Sequence, residues 1–238
     1  MGIRVLGIHL ELLKGFSLTC DGQHVSLPLS AQRVLAFLAI HGRPLLRPFV
    51  AGSLWTDATE PRASANLRST LWRLNLPGYG PVDATATHVQ LRADVAVDLR
   101  ETEALAHSIV GGQMRCDRFE LAHASLAGDL LPDWYDDWVL IERERFRQLR
   151  LHALETLCQE LTASGRYGQA IDAGLSAIAG EPLRESAHRA LIRAYVAEGN
   201  FSEALRQYHT YRRLLYDQLG VLPSLKMEAL IQERPCRR

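Results

Sequence analysis

Side chains that could read a nucleic acid are concentrated in residues 61–74, whose sequence is PRASANLRSTLWRL. In a helix of about 3.6 residues per turn, Leu67, Leu71 and Leu74 share one face. The opposite face contains no acidic residue and carries Arg62, Ala65, Asn66, Ser69 and Arg73. Arginine and asparagine make bidentate hydrogen bonds to base edges in the major groove, and small side chains allow close approach. The pattern predicts a DNA-reading helix; a solvated basic face on an ordinary amphipathic helix is the alternative that this stretch leaves open.

The elements around this helix favour the DNA interpretation. Helical spacing predicts a first helix over about 31–41, with Ser30 as its N-cap and Gly42 at its end. A second, short helix is expected from about Pro48 to Trp55, and a strand pair over Val82–Leu91. The order helix, short helix, basic helix, strand pair is that of a winged helix.

The N-terminal residues alternate in short apolar runs that predict small antiparallel strands. The expected strands are Val5–Leu13, Phe16–Cys20 and His24–Leu27. Asp21-Gly22 lies between the second and third runs, and an Asp-Gly pair is a strong signal for a hairpin turn.

The second half of the chain is almost purely helical from about Leu99. A helix is expected over Glu120–Leu131, and a long one from about Trp138 to Ala163. GRYGQA at 165–170 then matches GNFSEA at 199–204 at an offset of 34 residues, which is the tetratricopeptide (TPR) pattern. The fold class predicted is an α+β winged helix followed by an all-α, TPR-like helical-repeat domain. The domains are expected at 1–95 and 99–231.

Composition narrows the class of function. The 238 residues carry 27 basic and 27 acidic side chains, and zero net charge argues against a non-specific polyanion binder. Residues 30–80 nevertheless hold six arginines against Asp57 and Glu60, which is compatible with a confined DNA-binding surface. The four cysteines lack zinc-ligand spacing, and no catalytic or phosphate-loop motif occurs, so we expect no enzyme, metal or cofactor. With neither a long apolar run nor a signal peptide, we expect a cytoplasmic protein away from the membrane.

Longer stretches resemble a known family. Residues 28–74, with AQR at 31–33 and ANLRSTLWRL at 65–74, resemble the OmpR-type winged-helix domain of the Streptomyces antibiotic regulatory protein (SARP) family. Residues 98–230 resemble the bacterial transcriptional activator domain that follows it in that family. The matching segments there are LLPDWYDDW at 130–138, RQLRLHALE at 147–155, PLRESAHRAL at 182–191 and LGVLPS at 219–224.

The resemblance implies a sequence-specific transcription regulator that binds double-stranded promoter DNA, as a homodimer at least on DNA, and contacts RNA polymerase. The loop between the second and third helices commonly faces polymerase in this fold. The candidate polymerase contacts are therefore Thr56, Asp57, Thr59 and Glu60. The candidate DNA contacts are Arg62, Ala65, Asn66, Arg68, Ser69 and Arg73, with Arg43 and Arg47 as phosphate contacts or merely solvated side chains, and Arg92 in the wing.

The wing departs from the family pattern, because only Arg92 and His88 are basic in the segment 83–92. That weakness motivates a second hypothesis, a TPR-like protein-interaction adaptor with weak or lost DNA binding. A small-molecule sensor is a third, and would require an apolar pocket between the repeat helices. For the Trp134–Trp138 cluster, packing in the core is favoured over a partner-binding patch. For His188 and His209, packing or solvation is favoured over metal binding.

Overall fold

The structure is a computed structural model that describes residues 7–75, 80–113 and 123–232. Its contacts divide the chain into two compact units. The first unit comprises Met1–Glu101 and Gly128–Glu144, and the second comprises Thr102–Ala127 and Arg145–Arg238. The predicted limits 1–95 and 99–231 remain a prediction, and the contacts group residues 128–144 with the N-terminal part of the chain. No helix within the described ranges is long and apolar enough to cross a membrane.

The first unit contains seven strands and three complete helices within its described residues. In chain order they are β1 (Ile8–Glu11), β2 (Ser17–Cys20), β3 (Gln23–His24), α1 (Leu29–His41), β4 (Leu45–Leu46), α2 (Arg47–Leu54), α3 (Glu60–Leu74), β5 (Val82–Ala84), β6 (His88–Leu91) and β7 (Val95–Val97). One sheet has the order β3-β2-β1-β7 and the other the order β4-β6-β5. This arrangement confirms the predicted winged helix.

The N-terminal sheet combines a hairpin with a strand that sequence analysis missed. β1 and β2 pair antiparallel, and the following turn places Asp21 and Gly22 at φ 51° and 76°, as the Asp-Gly pair predicted. The third strand is only Gln23–His24, so the expected strand His24–Leu27 was misplaced. β7 pairs parallel with β1, which no local pattern signalled. The expected strand Val5–Leu13 begins outside the described residues.

Helix α1 ends where the sequence predicted but begins differently. Its N-cap is Pro28, at φ −60° and ψ 149°, and no side chain caps the first turn. Ser30 lies inside the helix, so its prediction as the N-cap was wrong; Pro28 already sets the extended backbone that precedes the first turn. Gly42 ends the helix at φ 63°, and its N–H donates to the carbonyl of Leu38 at 3.1 Å.

The segment Gly128–Glu144 is tied to the first unit by backbone pairing. Leu13 and Leu130 form an isolated bridge, and the N–H of Leu131 donates to the carbonyl of Leu12 at 2.9 Å. The expected helix over Glu120–Leu131 was therefore wrong at its C-terminal end, because these backbone groups bond across to residues 12–14. Residues 114–122 lie outside the described ranges.

Aromatic packing reinforces this attachment and supports the core interpretation for the half-buried Trp134 and Trp138, whereas Tyr135 between them is 79% exposed. The Trp138 ring meets Phe37 edge-on at 5.1 Å between centroids, and Trp134 stacks on Phe16 at 6.0 Å. Arg143 donates to the carbonyl oxygens of Leu130 and Trp134 at 2.7 Å each. These contacts explain why the first helical turns after Pro132 belong to the first unit.

The second unit is built from helices. Two of its helices start in the first unit, α4 (Asp98–Val110) and α5 (Asp137–Ala163), and the others are α6 (Tyr167–Gly180), α7 (Glu185–Glu198), α8 (Phe201–Leu219) and α9 (Leu225–Gln232). Gly165 and Gly199 lie between antiparallel helices at φ 74° and 89°, at equivalent places of the 34-residue repeat. A Cβ built at Gly174 would lie 3.1 Å from the Cβ of Leu191, so α6 and α7 cross closely. The TPR-like prediction is confirmed.

Candidate nucleic-acid interface

Helix α3 is held by the buried face that its spacing predicted. Ala63, Leu67, Thr70, Leu71 and Leu74 are buried. The Thr70 hydroxyl donates to the carbonyl of Asn66 at 2.9 Å, so its burial leaves that group satisfied. The helix begins at Glu60 with a proline in its first turn, which suits Pro61 because the first amides of a helix have no intrahelical partner.

The opposite face of α3 is open to solvent. Arg62, Ala65, Arg68, Ser69 and Arg73 are exposed, and Asn66 is half-buried. Arg62, Arg68 and Arg73 make no ion pair with any residue that the structure describes. The only acidic residue of the helix is Glu60, in its first turn. The face therefore presents unneutralised guanidinium groups with small side chains between them.

Trp72 is the residue of this surface that sequence analysis missed. It is 80% exposed, although tryptophan is a typical core residue. A helical wheel places it on the exposed side of α3, one turn after Arg68, and that placement was the signal available in the sequence.

The wing is a short hairpin anchored to the start of α2. β5 and β6 pair antiparallel through Ala84 and Val89, and β4 pairs with β6. Arg47 holds the turn between them: its backbone N–H donates to the carbonyl of Thr87 at 2.9 Å, and its Nη1 donates to the carbonyl of Thr85 at 2.7 Å. The predicted strand pair is thus confirmed, and Arg47 has a positioning role that its sequence context did not show.

Arg43 and Arg92 are the other predicted DNA contacts outside α3, and they differ in whether an acidic side chain pairs with them. Arg43 is exposed, and its Nη1 lies 3.4 Å from the carbonyl of Pro44. The Arg92 guanidinium pairs with the Asp94 carboxylate, with Nε and Oδ1 2.9 Å apart. The hydrogen bond from Arg92 lowers the pKa of Asp94, and the same contact raises the pKa of Arg92. Asp94 therefore neutralises much of the positive charge that Arg92 brings to the wing.

Two open clefts separate α3 from the wing. The first, of about 530 Å³, is lined by Arg47, Ser64, Arg68 and the wing-turn residues Ala86 and Thr87. The second, of about 350 Å³, includes Arg47, Trp72, Asn75, Asp83 and Ala84 in its lining. Arg68 and Trp72 thus mark the flank of α3 that faces the wing, while Arg62 and Arg73 lie on its open face.

The loop before α3 places the predicted polymerase-contact residues at the surface. Thr56, Asp57 and Thr59 are exposed in the loop, and Glu60 is the exposed first residue of α3. The N–H of Ala58 donates to the carbonyl of Trp55 at 3.1 Å, which closes the turn. The structure brings these residues together on one short segment.

In the second unit, the buried imidazole of His188 has structural partners. His188 is 2% exposed; its Nε2 lies 2.8 Å from the carbonyl of Pro182 and its Nδ1 lies 2.8 Å from Nε2 of Gln207. Burial lowers the pKa of His188 and raises the pKa of the Cys158 thiol to about 11. No group of three potential metal ligands occurs among the described residues. The packing interpretation of His188 is confirmed.

The end of α8 exposes an apolar stretch that sequence analysis did not identify. Tyr216, Leu219, Leu222 and Leu225 are 62%, 58%, 57% and 82% exposed. Tyr216 and Leu222 line a cleft of about 380 Å³ together with Arg212 and Arg213. Exposed apolar surface of this kind marks interaction sites in soluble proteins.

Comparisons with known proteins agree with this architecture. The family model described as the bacterial transcriptional activator domain matches residues 94–233. The regulatory protein AfsR of Streptomyces coelicolor is 28% identical over 223 residues, which cover 89% of this chain and 22% of AfsR. AfsR of Streptomyces griseus is 26% identical over 218 residues, covering 84% of this chain and 22% of that protein. The chain therefore spans about a fifth of the length of these curated relatives.

A solved structure shows the same fold over nearly the whole chain. It is Mycobacterium tuberculosis EmbR in complex with a low-affinity phosphopeptide, which superimposes with a TM-score of 0.73 at 24% identity. The match covers 95% of this chain and 64% of the EmbR chain. The winged helix and the helical repeats of this chain thus both have counterparts in a solved structure.

Proposed function

The chain belongs to the bacterial transcriptional activator domain family and is a SARP-type regulator, and from this premise we propose that it binds promoter DNA sequence-specifically through α3 and activates transcription. The observation that carries the proposal is the exposed, acid-free face of α3 opposite its buried leucines. Arg62, Arg68 and Arg73 remain available there for an external anion. The proposal places the protein in the cytoplasm, since bacterial promoters lie there.

The geometry supports distinct roles for the cations. Arg62, Asn66 and Arg73 lie on the open face, where guanidinium and amide groups can make bidentate contacts to base edges. Ala65 and Ser69 are exposed and small, so they let the helix enter the groove deeply. Arg68, on the wing-side flank, and Arg43 suit phosphate contacts, which position a protein without reading sequence. Arg47 contributes mainly by holding the wing, and Arg92 contributes less because Asp94 is its partner.

The remaining partners are part of the same proposal. An activator contacts RNA polymerase, and the exposed segment with Thr56, Asp57, Thr59 and Glu60 supports that role because it lies directly before the DNA-facing helix. Two copies on neighbouring half-sites, a homodimer at least on DNA, would compensate for a wing with few free cations.

The test is selection of binding sites from the genome of the source organism. Purified protein is incubated with fragmented genomic DNA at several salt concentrations, and the retained fragments are sequenced. We expect enrichment of a few promoter fragments that carry repeated half-sites, with affinity that falls steeply as salt rises because phosphate contacts release counterions. Retention without sequence enrichment, or no retention at moderate salt, would overturn the proposal.

The second candidate is the TPR-like adaptor, and the apolar stretch at Tyr216–Leu225 favours it. The two candidates differ in what a charged substitution there should do. Leu222→Asp would leave DNA affinity unchanged in a regulator, and in an adaptor it would remove binding of a protein partner that uses this stretch. A chain that selects no DNA but retains a protein partner through this stretch would establish the adaptor.

A further inference from the structure

Trp72 stands apart from the other tryptophans of the chain. Trp134 and Trp138 pack against neighbouring aromatic rings, and Trp55 is half-buried. Trp72 is 80% exposed, on the helix whose other exposed residues suit DNA. Trp72 is therefore a large, flat apolar side chain that lies in water beside the arginines proposed to meet DNA.

The position of Trp72 on α3 restricts what that partner surface is. Trp72 follows Arg68 by four residues, so both project from the same flank of the helix. Both line clefts that open toward the wing, Trp72 together with Asp83 and Ala84, and Arg68 together with Ala86 and Thr87. When a recognition helix lies in the major groove, its open face meets the bases and its flanks meet the sugar–phosphate walls.

The indole ring of tryptophan can contact both parts of the sugar–phosphate backbone. Its ring covers the apolar faces of deoxyribose, and its single N–H is a donor for a phosphate oxygen. The wing offers little to the same strand, because Arg92 is paired with Asp94 and the neighbouring Asp83 is exposed and acidic. Among the α3 residues that line the two clefts, Arg68 and Trp72 are the exposed ones.

We propose that Trp72 packs against the sugar–phosphate backbone of bound DNA on the wing side of α3, with its indole N–H directed to a phosphate, and so fixes the docking of the helix without reading sequence. The proposal rests on the proposed function, since it requires α3 to lie in the major groove. It adds a backbone contact where the wing of this chain lacks a free arginine.

Tryptophan fluorescence tests the contact directly. DNA binding is first verified by the anisotropy of a labelled duplex, which is independent of protein fluorescence. Addition of the selected site should then quench the emission and shift it to shorter wavelength, because the most exposed indole leaves water. Trp72→Phe should bind DNA and lose most of this change. Emission that changes equally in the variant, or a shift caused by raising protein concentration without DNA, would overturn the proposal.

Affinity measurements separate backbone contact from base reading. Trp72→Ala should weaken binding about tenfold, to the selected site and to a scrambled duplex alike, with Trp72→Phe intermediate. The slope of log affinity against log salt should stay that of the parent, because indole carries no charge, whereas Arg68→Ala should reduce it by about one. Affinity equal to that of the parent, or a loss confined to one base pair, would overturn the proposal. Since the side chain is exposed, thermal unfolding of the variants should match the parent.

The two proposals fail in different ways. A parent protein that binds no duplex even at low salt contradicts both the proposed function and the role of Trp72. A parent that binds its site while both Trp72 variants behave like it contradicts only the role of Trp72.

Discussion

Arg47, the first residue of α2, donates from Nη1 to the carbonyl oxygen of Thr85 at 2.7 Å, and its own N–H donates to the carbonyl of Thr87 at 2.9 Å. One residue therefore holds the wing turn through two bonds. Because α2 also packs on α3, the position of the wing relative to the DNA-facing helix depends on this residue.

Replacing Arg47 should loosen the wing. Arg47→Ala removes the side-chain bond and keeps the backbone bond, so we expect the free energy of unfolding to fall by about 1 kcal/mol. The Thr85 amide, which donates to the carbonyl of His88 at 2.9 Å, should exchange its hydrogen faster. DNA affinity should fall for every sequence alike. For hydrogen exchange, Arg43→Ala is the control, and equal exchange rates in the two variants would contradict the role of Arg47.

The crossing of α6 and α7 predicts opposite effects for two glycines. A Cβ at Gly174 would lie 3.1 Å from the Cβ of Leu191, so Gly174→Ala should destabilise the protein by about 1–3 kcal/mol through overpacking. A Cβ at Gly168, in the same helix, meets no atom within 4 Å, and Gly168→Ala should stabilise by up to about 1 kcal/mol. Urea unfolding followed by circular dichroism measures both, and changes of the same sign would show that the helices do not cross as described.

Burial of His188 predicts a dependence of stability on pH. Its pKa in the folded protein lies below the ordinary value of 6.5, chiefly because burial disfavours the charged ring. Below that value the unfolded chain takes up a proton that the folded chain resists, so the free energy of unfolding should fall as pH drops through about 6.5. Urea unfolding between pH 8 and pH 5 should show this slope, and His188→Gln should reduce it. The exposed His209→Gln is the control; a slope unchanged by His188→Gln would refute the assignment.

Local periodicity was enough to predict what α3 buries and exposes. Its leucines repeat at helical spacing, and the exposure of Arg62 and Arg73 follows from the same wheel. Trp72 was missed, although its position on the wheel placed it outside. Asp94, two residues from Arg92, shows that charge neutralisation at the wing depends on side-chain geometry that spacing alone does not give.

Features that depend on distant parts of the chain could not be predicted in the same way. The bridge between Leu13 and Leu130 and the parallel pairing of β7 with β1 join residues more than 80 positions apart. The expected helix over Glu120–Leu131 does not extend to its predicted C-terminal end, because Leu130 and Leu131 pair with Leu13 and Leu12 instead. The Trp138–Phe37 contact likewise links the start of α5 to α1.

The open face of α3 is expected to read DNA. The most direct test measures the affinity of three variants, Arg62→Ala, Asn66→Ala and Arg73→Ala, for a site selected from the genome. Each substitution should cost about 1–3 kcal/mol, roughly 5- to 150-fold in affinity, and relax the preference at one base pair. Arg193→Ala, at an exposed position of α7, is the matched control and should bind like the parent. If all three α3 variants bind the selected site as tightly and as selectively as the parent, α3 is not the element that reads DNA.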